Sequence, residues 1–508
     1  MSSSTDEPSR RHLPFAIIAV SIVAGLIITA LFGWWMMTYN ALRGEIAAIA
    51  EAGEPLKLHQ LDDFYPIPDG RNAADIYMRA NDVLTRPEQV PVPDELEAEL
   101  DAIRHRLAAE RAREQAGIEG LDVEGLDTDQ IIEKAGLPLP SVTLADMLPD
   151  EDLARIRDLA ADRYAHLSEP QRSAPAAWVT ANSDVVDLAL EAVAIEAARY
   201  PVNYSGGPLP TQPHISTLSY FRRLLMLRAK LALEAGEPDD LVESVIAAIA
   251  VARSMNDVPC ELHIVYQDHI ISATAQVLRA ALHRGVPLSE SHLAAWQNAL
   301  SQVGREDQLT RALIQNRATM YAALDEAQVD RRFGTDLWRW ATATNVRERT
   351  ELLVYYRRLI AASRKPPHER ITTVRATAQA HLGEAEKWPD AVLHGLNLDV
   401  IFKANAALAR RHLAMTTLAL ERYRLAHDRL PDTLDTLVPD YLANVLTDPF
   451  DGKPLRYEAE EAGFTIYSIG PNLTDEGETR ADQADEGDVV FRVIYGESAG
   501  RTGRGTSG

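Results

Sequence analysis

Residues Pro14 to Met37 (PFAIIAVSIVAGLIITALFGWWMM) run for 24 positions without a charged side chain. A helix needs about 20 apolar residues to cross the hydrocarbon core of a bilayer, so this run is long enough to span one. Arg10 and Arg11 precede it, and Trp34, Trp35 and Tyr39 stand at its far end, where aromatic rings favour the headgroup layer. A cleaved leader would have a shorter apolar core and a small-x-small cleavage site, which the bulky WWMM end does not offer. The run is therefore read as a retained single-pass transmembrane helix, residues 14–37, in a cell inner membrane. Residues 1–13 form a cytoplasmic tail, and the body lies on the extracytoplasmic side. Arg43 and Lys57 beyond the span count against that orientation, and Glu45, Glu51 and Glu54 offset them.

A chain of 508 residues is too long for one ordinary core. Its 46% hydrophobic and 25% charged residues are those of a folded protein. Aromatics are only 6%, and the middle is rich in Ala and Leu, which favours packed helices over a β-sandwich. The net charge of −24 excludes a nucleic-acid surface, because phosphate binding needs clustered Lys and Arg. The single cysteine, Cys260, allows no intramolecular disulfide, and with Pro259 and Glu261 beside it the thiol reads as buried and structural.

The fold class that follows is mainly α. After the anchor, residues 38–149 are a stalk and loop-rich connector with helices. A helix starts near Asn72, with Ala73, Ile76, Tyr77 and Ala80 as its apolar stripe, and a charged helix covers Asp94–Ala116. Residues 150–395 form an α-helical body of hairpins, either an irregular solenoid or a bundle. Its helices are expected over Asp150–Leu167, Asn182–Arg199, Ile215–Ala235, Pro238–Met255, Cys260–Arg284 and onward from Glu290. Gly236 and Gly285 stop two of them, and Pro238 starts another. Helix continues over Arg305–Ile360, with Trp338, Trp340, Tyr355 and Tyr356 as packing anchors, until SRKPPHER breaks it. Residues 396–496 form a small α+β module: a helix to His427, a short second helix, and strands at Gly463–Ile469 and Asp488–Tyr495. Residues 497–508 are a disordered tail.

Chemistry is sparse. Glu261, His263, Asp268 and His269 share one helix, but none of the pairs that would chelate a metal has the three- or four-residue spacing required. There is no HExxH, no GxSxG and no phosphate loop. A carboxylate pair acting on envelope material remains the enzymatic alternative. The richest site is the loop PNLTDEGETRADQADEGD, which offers Asn472, Asp475, Glu476, Asp485 and Asp488. Calcium takes six to eight oxygen ligands from such loops. The loop reads equally as a solvated acidic turn.

ALERYRLAHDRLPDTLDTLVPDYL followed by TDPFDGKPLRYEAEEAGFTIYSIGPN resembles the C-terminal region of the type II secretion major pseudopilins. The likeness falls on Tyr423, Leu430, Pro431, Asp448, Pro449, Phe450, Gly452, Pro454, Tyr457, Tyr467, Ser468 and Gly470. It implies a long helix leading into a small sheet, with calcium in the loop that follows. The Gly-Phe-Thr-Leu-x-Glu start of a pseudopilin is absent at this anchor, and some hundreds of residues intervene, which argues against a filament subunit. The layout also resembles large membrane-anchored proteins of planctomycete-type bacteria, in the segments LDDFYPIPDGRNAADIY and RLLMLRAKLALEAGEPDDLVESVIAAIAVAR. Together these imply a non-enzymatic extracytoplasmic scaffold that binds a protein partner, or an accessory of a secretion or pilus-like system.

Overall fold

The computed structural model describes residues 13–65, 70–93, 96–119, 130, 169–204, 212, 214–329, 344–382, 391–477 and 487–496. Among these it is mainly helical, with one small antiparallel sheet of three strands. The helix expected at Asp150–Leu167, the anchors Trp338 and Trp340, Asp485 and the terminal tails lie outside the described residues, apart from Leu13. The chain forms two compact units. Unit 1 comprises residues 1–66, 202–211 and 310–364, and unit 2 the remainder.

Unit 1 is built on α1 (Leu13–Glu51), which runs without interruption from the apolar segment through the expected stalk. Between Val20 and Tyr39 its large apolar side chains other than Trp35 are exposed, Val20 by 69%, Leu26 by 66% and Met37 by 62%. Thr29 Oγ1 donates to the Gly25 carbonyl (2.8 Å), and Thr38 Oγ1 donates to that of Trp35 (2.9 Å). These hydroxyls therefore need no water. One helix here is long and apolar enough to cross a membrane. Further along, Leu42 and Ile49 are buried where α1 packs on α12 (Thr344–Ser363). Tyr355 and Tyr356 on α12 are buried as expected, their rings edge to face at 5.8 Å.

After α1 comes the short helix α2 (Gln60–Phe64). Between the two, the chain is fixed by a buried ion pair. Arg317, on α11 (Gln308–Val329), donates through Nη1 to Glu54 Oε2 (2.8 Å) and through Nη2 to the Pro55 carbonyl (3.0 Å). The side chains are 2% and 9% exposed, and Arg364 reaches the other Glu54 oxygen at 2.5 Å.

In unit 2, α3 (Ala73–Val83) buries the expected stripe of Ala73, Ile76, Tyr77 and Ala80. Asn72 caps it by accepting from Ala74 N (3.2 Å). The same Asn72 corrects one expectation. The helix predicted over Asn182–Arg199 is α6 (Ser183–Val193), and it stops six residues early. Asn72 Oδ1 accepts from Arg199 N (2.9 Å), Asn72 Nδ2 donates to the Arg199 carbonyl (3.1 Å), and Ala73 N donates to Ala197 O (2.9 Å). Backbone groups used across the fold in this way cannot also continue a helix. The charged helix, α4, spans Glu97–Glu119. A further helix, α5 (Glu169–Ala181), contains Pro175 and precedes α6.

The hairpin of α7 (His214–Ala235) and α8 (Pro238–Ser254) follows its signals closely. Gly236 takes φ +73°, which a side chain rarely adopts, and Pro238 opens α8. α9 (Glu261–Arg284) ends in left-handed Gly285, and Ser289 caps α10 (Glu290–Ser301) by accepting from His292 N (3.2 Å). Within SRKPPHER the break is short, residues 364–366, and α13 (Pro367–Leu382) starts at its second proline and packs on α14 (Ala391–His427), which also lies against α9 and α10. Arg410 on α14 pairs with Asp268 of α9 at 2.5 Å.

The short second helix is a single 3-10 turn, Leu434–Leu437. The sheet has the order β1 (Arg456–Glu460), β2 (Gly463–Ser468), β3 (Val489–Ile494), with Phe464 paired to Val493 and Ile466 to Phe491. Its buried face of Phe464, Ile466, Phe491 and Val493 is complemented by the packing of α14 on β2 and β3.

Breaking a buried pair strands a charge, at about 3–5 kcal/mol. Glu54→Ala leaves Arg317 in that position, and a loss of unfolding free energy of about this size is expected in urea denaturation.

Candidate cation site in the C-terminal module

The sequence TDPFDGKPLR forms a tight loop in which Asp448 N donates to Lys453 O (2.7 Å) and Gly452 N donates to Asp448 O (2.8 Å). The loop turns the Asp448 side chain inward, where it is fully buried. Its Oδ1 accepts from Phe450 N (2.9 Å) and Ser468 Oγ (2.8 Å), and its Oδ2 accepts from Ile469 N (2.9 Å) and Arg456 Nη1 (3.0 Å). A buried carboxylate is tolerated when its lone pairs are matched in this way. Asp448 thus ties the loop to the end of β2.

Arg456, the first residue of β1, carries the positive charge of the site. Besides Asp448 it reaches Asp451 with Nη2 (2.6 Å) and Asp475 with Nε (3.4 Å). Tyr467 Oη donates to the other Asp475 oxygen at 3.2 Å. Three carboxylates therefore surround one guanidinium. Sequence reasoning noted Asp448 only as part of a resemblance and missed Asp451 and Arg456. Their signal was available, since Asp451 opens the turn Asp451-Gly452-Lys453, where Lys453 N donates to Asp451 Oδ1 at 3.0 Å, and Arg456 follows that turn.

The expected calcium ligands divide. Asn472 accepts from Thr474 N (2.9 Å) in a local turn, and Asp475 is shared with Arg456 and Tyr467. Asp485 lies outside the described residues. Asp488 differs from these. It is 3% exposed, and among the described residues its carboxylate is approached by the backbone N–H groups of Glu476 and Gly477, outside ideal hydrogen-bond geometry. Burial raises its pKa above the usual carboxylate value, the Asp475 and Glu476 charges raise it further, and the two backbone groups offset part of the rise. Gly470 brings the two sides of the loop together. It has φ +67°, and a Cβ there would sit 1.9 Å from the Gly487 carbonyl, so no other residue fits. Among the described residues, no three His, Cys, Asp or Glu side chains form a preassembled metal cage.

The helix that carried the metal candidates holds a different cluster. His263 and His269 do not converge, and His263 instead meets His214, the first residue of α7, Nε2 to Nε2 at 2.9 Å. Tyr200 stacks on His214 (centroids 4.4 Å apart) and shares a 2.7 Å hydrogen bond with Ser254. Both imidazoles are fully buried, and both Nδ1 atoms lack partners. Burial lowers the His214 pKa to about 4, with the charge of Arg199 adding to the effect, and holds His263 well below its ordinary value. Cys260 is buried as expected, and burial raises its thiol pKa, so it is not an activated nucleophile.

No family model, curated protein or solved structure matches this chain. Its function is therefore argued from these sites and from the anchor.

The depressed His214 pKa fixes a pH window. The unfolded state, with His near 6.5, binds the proton that the folded state refuses, so the contribution is complete above pH 6.5 and is lost as pH falls towards about 4. Each shifted pKa unit is worth about 1.4 kcal/mol. Equilibrium unfolding between pH 7 and 4 is expected to show stability falling with pH, with a shallower slope in His214→Gln.

Proposed function

We propose that this chain is a single-pass, membrane-anchored helical scaffold that presents its C-terminal module to a protein partner. The observation that carries this reading is the single helix α1. It is exposed and uncharged from Val20 to Trp34, and it then supplies buried Leu42 and Ile49 to a packed unit. A leader to be removed has no reason to be continuous with the core of the protein it leaves. The two arginines before the span favour a cytoplasmic N-terminus in an inner membrane, with the body extracytoplasmic. The α7–α8 hairpin and its neighbours act as an irregular helical bundle that displays the module.

The resemblance to the major pseudopilins supports reading the module as a borrowed folding unit, used for docking and not for building a filament. Arg410 in contact with Asp268 favours this, because α14 is committed to protein contacts. We further propose calcium for this loop, with Asn472, Asp475, Glu476, Asp485 and Asp488 as the candidate donors in its sequence. Asp488 supports this, since its buried carboxylate has no cationic partner among the described residues and sits where a cation would offset two neighbouring negative charges. Arg456 already neutralises Asp448 and Asp451, which leaves the Asp488 end for the ion.

Two measurements test the reading. Cross-linking of the anchored protein in its native membrane is expected to give a discrete adduct that disappears when residues 428–496 are deleted. An adduct pattern indifferent to that deletion would remove the docking role. Millimolar calcium is expected to raise the thermal midpoint of the wild-type chain by several degrees and to leave Asp488→Asn unmoved. No shift in the wild type would remove the ion site.

A further inference from the structure

We propose that unit 1 lies flush against the bilayer, with the first turns of α12 at the depth of the phospholipid headgroups and no stalk between. The inference rests on the anchor reading and adds where the protein meets the lipid surface. The first support is the burial pattern along α1. Trp35 and Thr38 are half-buried, Leu42 is buried, Glu45 and Ile46 are half-buried and Ile49 is buried, at alternating spacings of three and four. That spacing is the seam of a helix packed on a helix. Trp35 is covered in part by the stacked Phe32 and Tyr39 rings of its own helix, and the first buried position is Leu42, five residues past Met37. Burial against protein therefore begins less than two turns beyond the uncharged run.

The second support is the direction of α12. Glu45 pairs with Arg357 at 3.2 Å, and Glu54 pairs with Arg364 at 2.5 Å, so later residues of one segment meet later residues of the other and α12 runs parallel to α1. Parallel helices climb at the same rise per residue. From the Glu45–Arg357 pair, Thr344 to Arg349 fall beside residues 32–37 of α1. That level holds Trp34 and Trp35, the rings that favour the membrane–water boundary.

The third support is chemical. α12 opens with Thr344, Asn345, Val346, Arg347, Glu348 and Arg349, a run too polar for hydrocarbon and suited to the headgroup layer. Residues 346–350 are half-buried, Arg347 pairs with Glu351 at 2.5 Å, and the Arg349 guanidinium lies 5.4 Å from the Tyr321 ring. Arg43, exposed one turn beyond the span on α1, adds a further guanidinium near the same surface. Guanidinium groups at this level meet lipid phosphates in a geometry that favours paired hydrogen bonds.

The full chain, reconstituted in vesicles of phosphatidylcholine and phosphatidylglycerol, tests this with spin labels in a Cys260→Ser background. Labels go at Met37→Cys, Glu348→Cys and Ala361→Cys, and each is read by collision with oxygen and with a water-soluble nickel complex. The Met37 label is expected in lipid and the Ala361 label in water. The Glu348 label is expected at headgroup depth, with a nickel collision rate several-fold below that at Ala361. A Glu348 label as aqueous as Ala361, with Met37 in lipid, overturns the flush seating and leaves the anchor standing. A Met37 label in water overturns both.

Discussion

One helix here changes surroundings along its length. Over Val20–Trp34, α1 presents large apolar side chains outward, a surface that water disfavours at roughly 25 cal/mol for each square ångström. From Leu42 to Ile49 the same helix packs against protein, with Glu45 against Arg357. The change of environment happens within an unbroken run of backbone hydrogen bonds, so the helix is stiff where it changes partner. The buried Arg317–Glu54 pair then fixes the chain just after α1 ends, and Tyr65 adds a second tie through its bond to Arg311 O (3.0 Å).

Much of this was legible in the sequence, and the reasons differ between elements. Helix ends in unit 2 were readable wherever the stop is local. Gly236, Pro238, Gly285 and Ser289 act through their own backbone or side chain, and the helices begin and end beside them. The end of α6 was not readable because its cause lies over a hundred residues away, in the hydrogen bonds between Asn72 and Arg199. The strands β2 and β3 were legible from alternating apolar residues. β1 was not, since Arg456–Glu460 carries mostly exposed or half-buried side chains and owes its state to pairing with β2.

The candidate site shows the same division. Its acidic loop stood out by composition, but composition cannot distinguish Asp475, shared with Arg456, from Asp488, buried with no cationic partner among the described residues. Arg456 explains how Asp448 and Asp451 lie so near each other. The guanidinium is a cation covalently fixed to the fold, and a bound metal is not needed to hold those two together. The histidines of α9 give the converse case. Spacing along the helix ruled out a chelating pair, yet it could not show that His263 meets His214 from another helix.

The order in which the segments emerge during synthesis adds a further consequence. The anchor is made first, but α12, against which it packs, follows nearly 300 residues later. Unit 2 is likewise closed by its last described residues. Gly496 N donates to the His283 carbonyl at the end of α9 (2.9 Å), and Tyr495 Oη donates to the buried Glu421 of α14. Folding from the N-terminus as the chain appears therefore cannot complete either unit early. A nascent chain of this kind stays unfinished through much of its elongation, with the His283 carbonyl of α9 lacking its partner until Gly496 has been added.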